Sequence, residues 1–199
     1  MIHFDNIPWP AWQGHKFVDA IDLSKPSLVD YLDCVEAEPL RQNIIDIVNK
    51  HNVKSVLDVG CGDAKLSEKL NVENYYGLEQ ERHLYLRAFR RYRNHDNRTI
   101  LYGNKLEDCL PVDCLMFIGS LSYNKNHQSV FDKFVEQTNP KIIIIQEILP
   151  DQTYVVPSNN IESVAINLSY YQQLNHNEYI FDLPIWCGKR IQLEIVVAS

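Results

Sequence analysis

Val56-Leu57-Asp58-Val59-Gly60-Cys61-Gly62-Asp63-Ala64-Lys65-Leu66 reads as a buried strand that ends in a carboxylate-flanked glycine turn and then opens a helix. Glycines at such a turn let the backbone bend tightly and let a ligand approach where a Cβ would block it. Glu79 follows about 20 residues later, at the end of a second apolar run, Tyr75-Tyr76-Gly77-Leu78. A glycine turn beneath and a carboxylate at the ribose hydroxyls are what gripping a nucleoside requires.

Two cofactor classes use this arrangement. A dinucleotide fingerprint needs a third small residue where the helix packs on the strand, and Lys65 stands there. Asp58 also sets negative charge near the usual seat of a pyrophosphate, whereas it suits a ligand with a cationic amine. S-adenosylmethionine (SAM) carries an adenosine, an ammonium and a sulfonium, and no phosphate. The string Leu57-Asp58-Val59-Gly60-Cys61-Gly62-Asp63-Ala64 resembles the first motif of the class I SAM-dependent methyltransferases, with Ala64 where many members have a third glycine. A nicotinamide or flavin domain is the less fitting reading.

The resemblance implies roles for the residues that match. Asp58 would contact the methionine ammonium, and Gly60, Cys61 and Gly62 would let the methionyl part lie along the backbone. Glu79 would take the ribose hydroxyls, with Gln80 beside the adenine. Asn104 stands where the family often has Asp facing the adenine amino group, and Lys105 and Leu106 would complete that pocket. Ser120 lies at the end of the fourth strand, on the same side. The segment Phe117-Ile118-Gly119-Ser120-Leu121-Ser122-Tyr123 lacks the Asp/Asn-Pro-Pro-aromatic string of amino-base methylases and the Pro-Cys of cytosine-5 enzymes. It looks more like the small-molecule branch, which argues against DNA as acceptor.

The rest of the chain fits a doubly covered sheet. Strands are expected over 55–59, 74–78, 99–102, 114–118 and 141–146, with helices over 64–70, 82–92 and 126–137 between them. Ser27 would cap a helix over 28–35, and Pro39 opens another to about Asn49 whose Leu40, Ile44, Ile47 and Val48 should lie against the sheet. The segments 179–183 and 190–197, parted by Cys187-Gly188-Lys189, read as an antiparallel hairpin. The expected fold is α/β and Rossmann-like: a seven-stranded, mostly parallel sheet with helices on both faces and a C-terminal antiparallel hairpin. Residues 1–50 form an N-terminal helical extension or lid, and 51–199 the SAM-binding domain, in one compact unit.

The 199 residues suffice for one such domain. A net charge of −7 works against a nucleic-acid partner, whose phosphates reward a basic surface. One basic run stands out, Arg82, Arg87, Arg90, Arg91, Arg93 and Arg98, read either as a solvated face balanced by nearby acids or as a seat for an anionic acceptor, RNA or an acidic protein. Five cysteines form no zinc-ligand pattern, so no metal is expected; their odd number suggests a reducing compartment. With neither a signal peptide nor a membrane-length apolar run, a cytoplasmic protein without membrane contact is expected.

Methyl transfer needs alignment of acceptor, carbon and sulfur, and a base only for some acceptors. His127, Glu147 and Tyr123 are the candidate catalytic residues, the first two as base, a role also open to His15, and the third to orient the acceptor. Trp9, Trp12, His15 and Tyr123 are the candidate substrate contacts, the tryptophans as a lid or as pins for the extension. Three functions remain open at this stage. They are methylation of an oxygen or nitrogen of a small polar metabolite such as a sugar, a non-catalytic SAM-binding regulator, and an RNA or protein methyltransferase using the basic helix. The acceptor and the oligomeric state are not written in the sequence.

Overall fold

The computed structural model describes Leu23 and residues 38–103, 111–148, 176–185 and 189–197, with side chains described up to residue 146, residue 122 excepted. Five strands run parallel: β1 (Ser55–Val59), β2 (Asn74–Glu79), β3 (Arg98–Tyr102), β4 (Cys114–Ile118) and β5 (Ile142–Ile148). Helices α1 (Glu38–Lys50), α2 (Arg82–Tyr92) and α3 (His127–Thr138) precede or join them. At the β5 edge the backbone of β7 (Lys189–Val197) pairs antiparallel with β5, and β6 (His176–Ile185) pairs antiparallel with β7.

The unbroken apolar strands are those buried on both faces. Cys114-Leu115-Met116-Phe117-Ile118 is buried at every position, as are residues 142–145, the Ile-Ile-Ile-Ile run of β5. Alternation along each strand divides their side chains between two cores. On one face Val56, Tyr75, Ile100, Met116 and Ile144 pack with Leu40, Ile44 and Val48 of α1 and with Tyr85, Ala88 and Tyr92 of α2. On the other, Leu57, Leu78, Leu115, Phe117 and Ile143 pack with Phe131 and Phe134 of α3. The expected contact of the 39–49 helix with the sheet is thus present.

The bounds of β1 to β5 match the expected ones within two residues, β6 begins three residues before the expected 179, and β1, β4 and α2 have the expected bounds. The segment after the glycine turn departs from expectation. Instead of a helix over 64–70 it makes one 3-10 turn, Lys65–Lys69, entered through Ala64 at φ +59° and left through Leu70 in extended conformation. Only a few residues separate that exit from β2, so there is no length for a second turn. The expected helix over 28–35 lies outside the described residues.

The order of the parallel strands is β3-β2-β1-β4-β5. The chain therefore moves outward one way from β1 to β3 and then returns to β4 on the other side of β1. Strand order reverses between β1 and β4, and in open α/β sheets ligands bind beyond the carboxyl ends of the strands at such a point.

Candidate functional site

The glycine turn leaves β1 at this reversal and is tied down from three sides. From β2, the Leu78 carbonyl accepts the backbone N–H of Gly60 at 2.8 Å and of Cys61 at 3.2 Å. Glu79 Oε2 accepts the N–H of Gly62 at 2.8 Å, and its Oε1 accepts that of Glu81 at 2.7 Å. From β4, Ser120 lies so close to Gly60 that a Cβ on that glycine would stand 2.5 Å from the Ser120 Cβ. Gly60 also has φ +78°, so both space and backbone require glycine there. Gly62, at φ +61°, differs: a Cβ on it would meet nothing within 4 Å. Its backbone borders open space.

The third tie is ionic. Asp63 is fully buried, and its Oδ2 receives Arg91 Nη2 at 3.0 Å and lies 3.6 Å from Arg87 Nη2. Arg91 Nη1 also donates to Glu68 in the 3-10 turn. Arg87 and Arg91 stand four apart on α2, so one helical face presents both guanidiniums to the turn. Arg98 serves the same segment differently, donating to the carbonyls of Ser67, Leu70 and Val72. Three members of the basic run thus hold the glycine turn and the segment after it; Arg87 and Arg91 do face acids, but as largely buried side chains and not as a solvated face.

Two acids at the carboxyl ends of the strands have no such cation among the described residues. Asp58 is buried in β1, where its Oδ2 accepts the Tyr75 hydroxyl at 2.8 Å and its Oδ1 has no partner among the described residues. Burial raises its carboxyl to about 6, against the lowering effect of the Tyr75 bond. Burial likewise raises Glu79 to about 7, although backbone N–H groups of Glu81, Gly62 and Gln80 pull it down. A cationic ligand placed here would meet carboxylates whose charge the fold has left uncompensated.

Cys61 fills rather than reacts. Its Sγ lies where a Cβ on Gly77 would come within 2.8 Å, and burial pushes the thiol far above its ordinary value. Gln80 is exposed just past β2, and Tyr123 ends the 3-10 turn Leu121–Tyr123 that follows Ser120. Ser120 Oγ is buried without a partner among the described residues. His127 opens α3, half-buried, with its imidazole held below the usual value by burial. Glu147 belongs to β5 by backbone, opposite Gln192. Asn104, Lys105, Leu106, Trp9, Trp12 and His15 lie outside the described residues.

The structure therefore brings Asp58, Gly60, Cys61, Gly62, Glu79 and Ser120 to one place. Sequence reasoning missed Tyr75 as a partner of Asp58 and the pairing of Asp63 with α2. A signal for the first existed: Gly77 faces Asp58 in the β1–β2 register, and Tyr75 is the next residue on the same side of β2. Among the described residues no His/Cys/Asp/Glu group has a metal-binding arrangement, and no helix is long and apolar enough to cross a membrane.

No family model matches the chain, and no curated protein does. Solved structures are similar to it across most of its length. N-methyltransferase NodS from Bradyrhizobium japonicum WM9, in complex with S-adenosyl-L-homocysteine (SAH), aligns with TM-score 0.70 at 11% identity, over 92% of this chain and 97% of that one. Magnesium protoporphyrin IX methyltransferase (ChlM) from Synechocystis PCC 6803, with bound SAH, aligns with TM-score 0.66 at 10% identity, over 96% of this chain and 95% of that one. The methyltransferase domain of bacterial CtHen1-C aligns with TM-score 0.61 at 16% identity, over 80% of this chain and 97% of that one. The chain has the α/β, Rossmann-like fold of the class I SAM-dependent methyltransferases.

Proposed function

We propose that this protein is a SAM-dependent methyltransferase acting on an oxygen or nitrogen of a small polar metabolite, with a sugar among the fitting acceptors. The observation that carries the reading is the glycine turn at the strand-order reversal, beside two buried acids without cationic partners. The residues fit the cofactor: Asp58 Oδ1 is an orphaned buried acceptor, and Gly62 leaves a backbone cradle that a side chain would occupy. Asp58 would take the ammonium, Gly60 and Gly62 the methionyl chain, and Glu79 the ribose hydroxyls. Gln80, Asn104, Lys105 and Leu106 are assigned to the adenine side. When bound, SAM supplies an electrophilic methyl on a positively charged sulfur.

The chain's own residues then hold, orient and exclude water. Tyr123 and His127 follow the Ser120 turn in sequence and stand on the acceptor side of this proposal. His127 is the stronger candidate base, because its lowered value leaves the imidazole neutral and able to accept a proton near pH 7. Glu147 is the second candidate. The stretch before α1, with Trp9, Trp12 and His15, is assigned as lid and acceptor wall to the domain over 51–199. Strands β6 and β7 complete, in this reading, the seven-stranded sheet with its C-terminal hairpin. A cytoplasmic setting fits the cysteine usage.

The basic helix gives little support to an RNA or protein acceptor, since Arg87 and Arg91 already pair with Asp63. Calorimetric titration with SAM and SAH is the test. The expected result is micromolar binding, lost in Glu79→Ala and weakened at least tenfold in Asp58→Ala. A folded protein that binds neither ligand overturns the assignment. Binding without turnover on any sugar, amine or hydroxy-metabolite favours the regulatory reading.

A further inference from the structure

We infer that Tyr75 is a positioning residue of the cofactor site, fixing one oxygen of Asp58 from the neighbouring strand so that the other remains for the cofactor's ammonium. The inference rests on the methyltransferase reading and deepens it. Tyr75 is fully buried, and its hydroxyl donates to Asp58 Oδ2 at 2.8 Å while Oδ1 stays without a partner among the described residues. A buried carboxylate with one oxygen anchored has its rotamer set, and its second oxygen keeps a fixed direction.

The sequence builds this contact through an absence. Asp58 and Gly77 are paired in the β1–β2 register, and Tyr75 lies two residues back on the same side of β2. A Cβ on Gly77 would come 3.1 Å from Tyr75 Cε1 and 2.8 Å from Cys61 Sγ. The missing side chain therefore leaves the room in which the tyrosine ring and the turn's thiol sit together. The Arg98 guanidinium lies over the Tyr75 ring, 5.9 Å from its centroid. Arg98 is itself anchored on the carbonyls of Ser67 and Leu70. The ring therefore packs against an anchored side chain, which is what a positioning role requires.

Among the described residues the titratable groups that interact with Asp58 are Tyr75 of β2, Cys61 of the turn and Cys114 of β4, and Cys61 in turn faces Asp63 and Glu79. None supplies a compensating positive charge, and Asp63 has its own arginines. Among the described residues the Tyr75 bond is the interaction that favours the charged form of Asp58, and it acts against burial. Removing the hydroxyl thus leaves a buried carboxylate that takes up a proton at higher pH. Binding of a cationic ligand then fails at higher pH as well.

Tyr75→Phe tests this with SAH as the probe, titrated from pH 5.5 to 8.5 alongside the wild type and Asp58→Asn, with thermal unfolding as the folding check. The expected affinity loss is about twofold at pH 7, growing to nearly tenfold at pH 5.5 and vanishing above pH 8, with the midpoint of the affinity–pH curve raised by about one unit. In the Asp58→Asn background Tyr75→Phe should add no further loss. An equal loss at every pH, no loss at all, or an undiminished loss in the Asp58→Asn background overturns the inference. Failure of the wild type itself to bind SAH is the separate result that removes the methyltransferase reading, and this role with it.

Discussion

The two ends of the parallel sheet hold their acids under opposite conditions. At the amino ends, Asp113 precedes β4 and reaches back to the start of β1, accepting the N–H of Lys54 at 2.8 Å and of Ser55 at 3.2 Å, while Lys141 Nζ stands 2.7 Å away. The Lys141 hydrogen bond, helped by the two backbone donors and against partial burial, holds the Asp113 carboxyl below its ordinary value. At the carboxyl ends, Asp58 and Glu79 are buried without a cation among the described residues and are raised to about 6 and about 7. The lower acid closes the sheet. The upper two cost stability in the free protein, and a cationic ligand would offset that cost, so in the proposed reading the same residue chemistry serves structure at one end and binding at the other.

The exception at the upper end is Asp63, which is buried yet has two arginines, and it provides the largest expected effect. Asp63→Ala leaves Arg87 and Arg91, whose side chains are only 12% and 15% exposed, facing an apolar gap. The expected destabilisation is about 3 kcal/mol, most of it from taking the buried carboxylate away from two largely buried guanidiniums, although Arg91 keeps Glu68. At the lower end Lys141→Ala removes a lysine that is 79% exposed, and its cost should stay under about 1 kcal/mol. Chemical denaturation of the two variants measures both. Equal costs would break the comparison, because they would mean that burial of the pair does not govern its contribution.

The pH dependence should be the next largest effect, with opposite signs at the two ends. Asp58 and Glu79 have folded values above their ordinary 3.8 and 4.5, so between about pH 4 and 7 the folded protein binds more protons than the unfolded chain. Their contribution therefore favours folding as pH falls through about 7 and is complete only below 3.8. Asp113, with a lowered folded value, gives stability that is present above 3.8 and lost as pH falls further. Folding stability measured from pH 7.5 to 5 should rise by about 4 kcal/mol from the upper pair. Asp58→Asn should flatten part of that rise, and Asp113→Asn should leave it unchanged while flattening the loss below pH 3.8. A rise that survives Asp58→Asn together with Glu79→Gln would assign it to other groups.

How far the sequence could be read follows the same division between local and long-range causes. The run of β4 and the alternation within α2 are properties of contiguous residues, and their bounds were legible without the structure. So were Asp58, Gly60, Gly62 and Glu79, because a turn and the end of the next strand are close in sequence. The 3-10 turn was misread as a helix because Leu66 and Leu70 have helical spacing while Ala64 enters in a left-handed conformation that spacing does not record. Asp63 with Arg91 joins residues 28 apart and depends on the rotation of α2. Asp58 with Tyr75 depends on strand register and on a missing side chain at Gly77. The sequence named the arginines but not what they hold.

The smallest effect sharpens the contrast on the backbone. Strand β1 is preceded by Asn52 at φ +51° and followed by Ala64 at φ +59°, a left-handed residue on either side. Asparagine tolerates that region, and Asn52 is exposed, so Asn52→Gly should change stability by a few tenths of a kcal/mol. Alanine does not tolerate it as well: its Cβ costs about 1 kcal/mol there. Ala64 is also fully buried, so Ala64→Gly removes that strain and loses a packed methyl worth about 0.8 kcal/mol. The two terms nearly cancel, and thermal unfolding of Ala64→Gly should stay within about 2 °C of wild type. Ala64→Val, which keeps the strain and adds volume at a closed position, should instead lower the midpoint clearly. If Ala64→Gly raises it by more than about 5 °C, the methyl contributes little, and the upper end carries uncompensated backbone strain in addition to uncompensated charge.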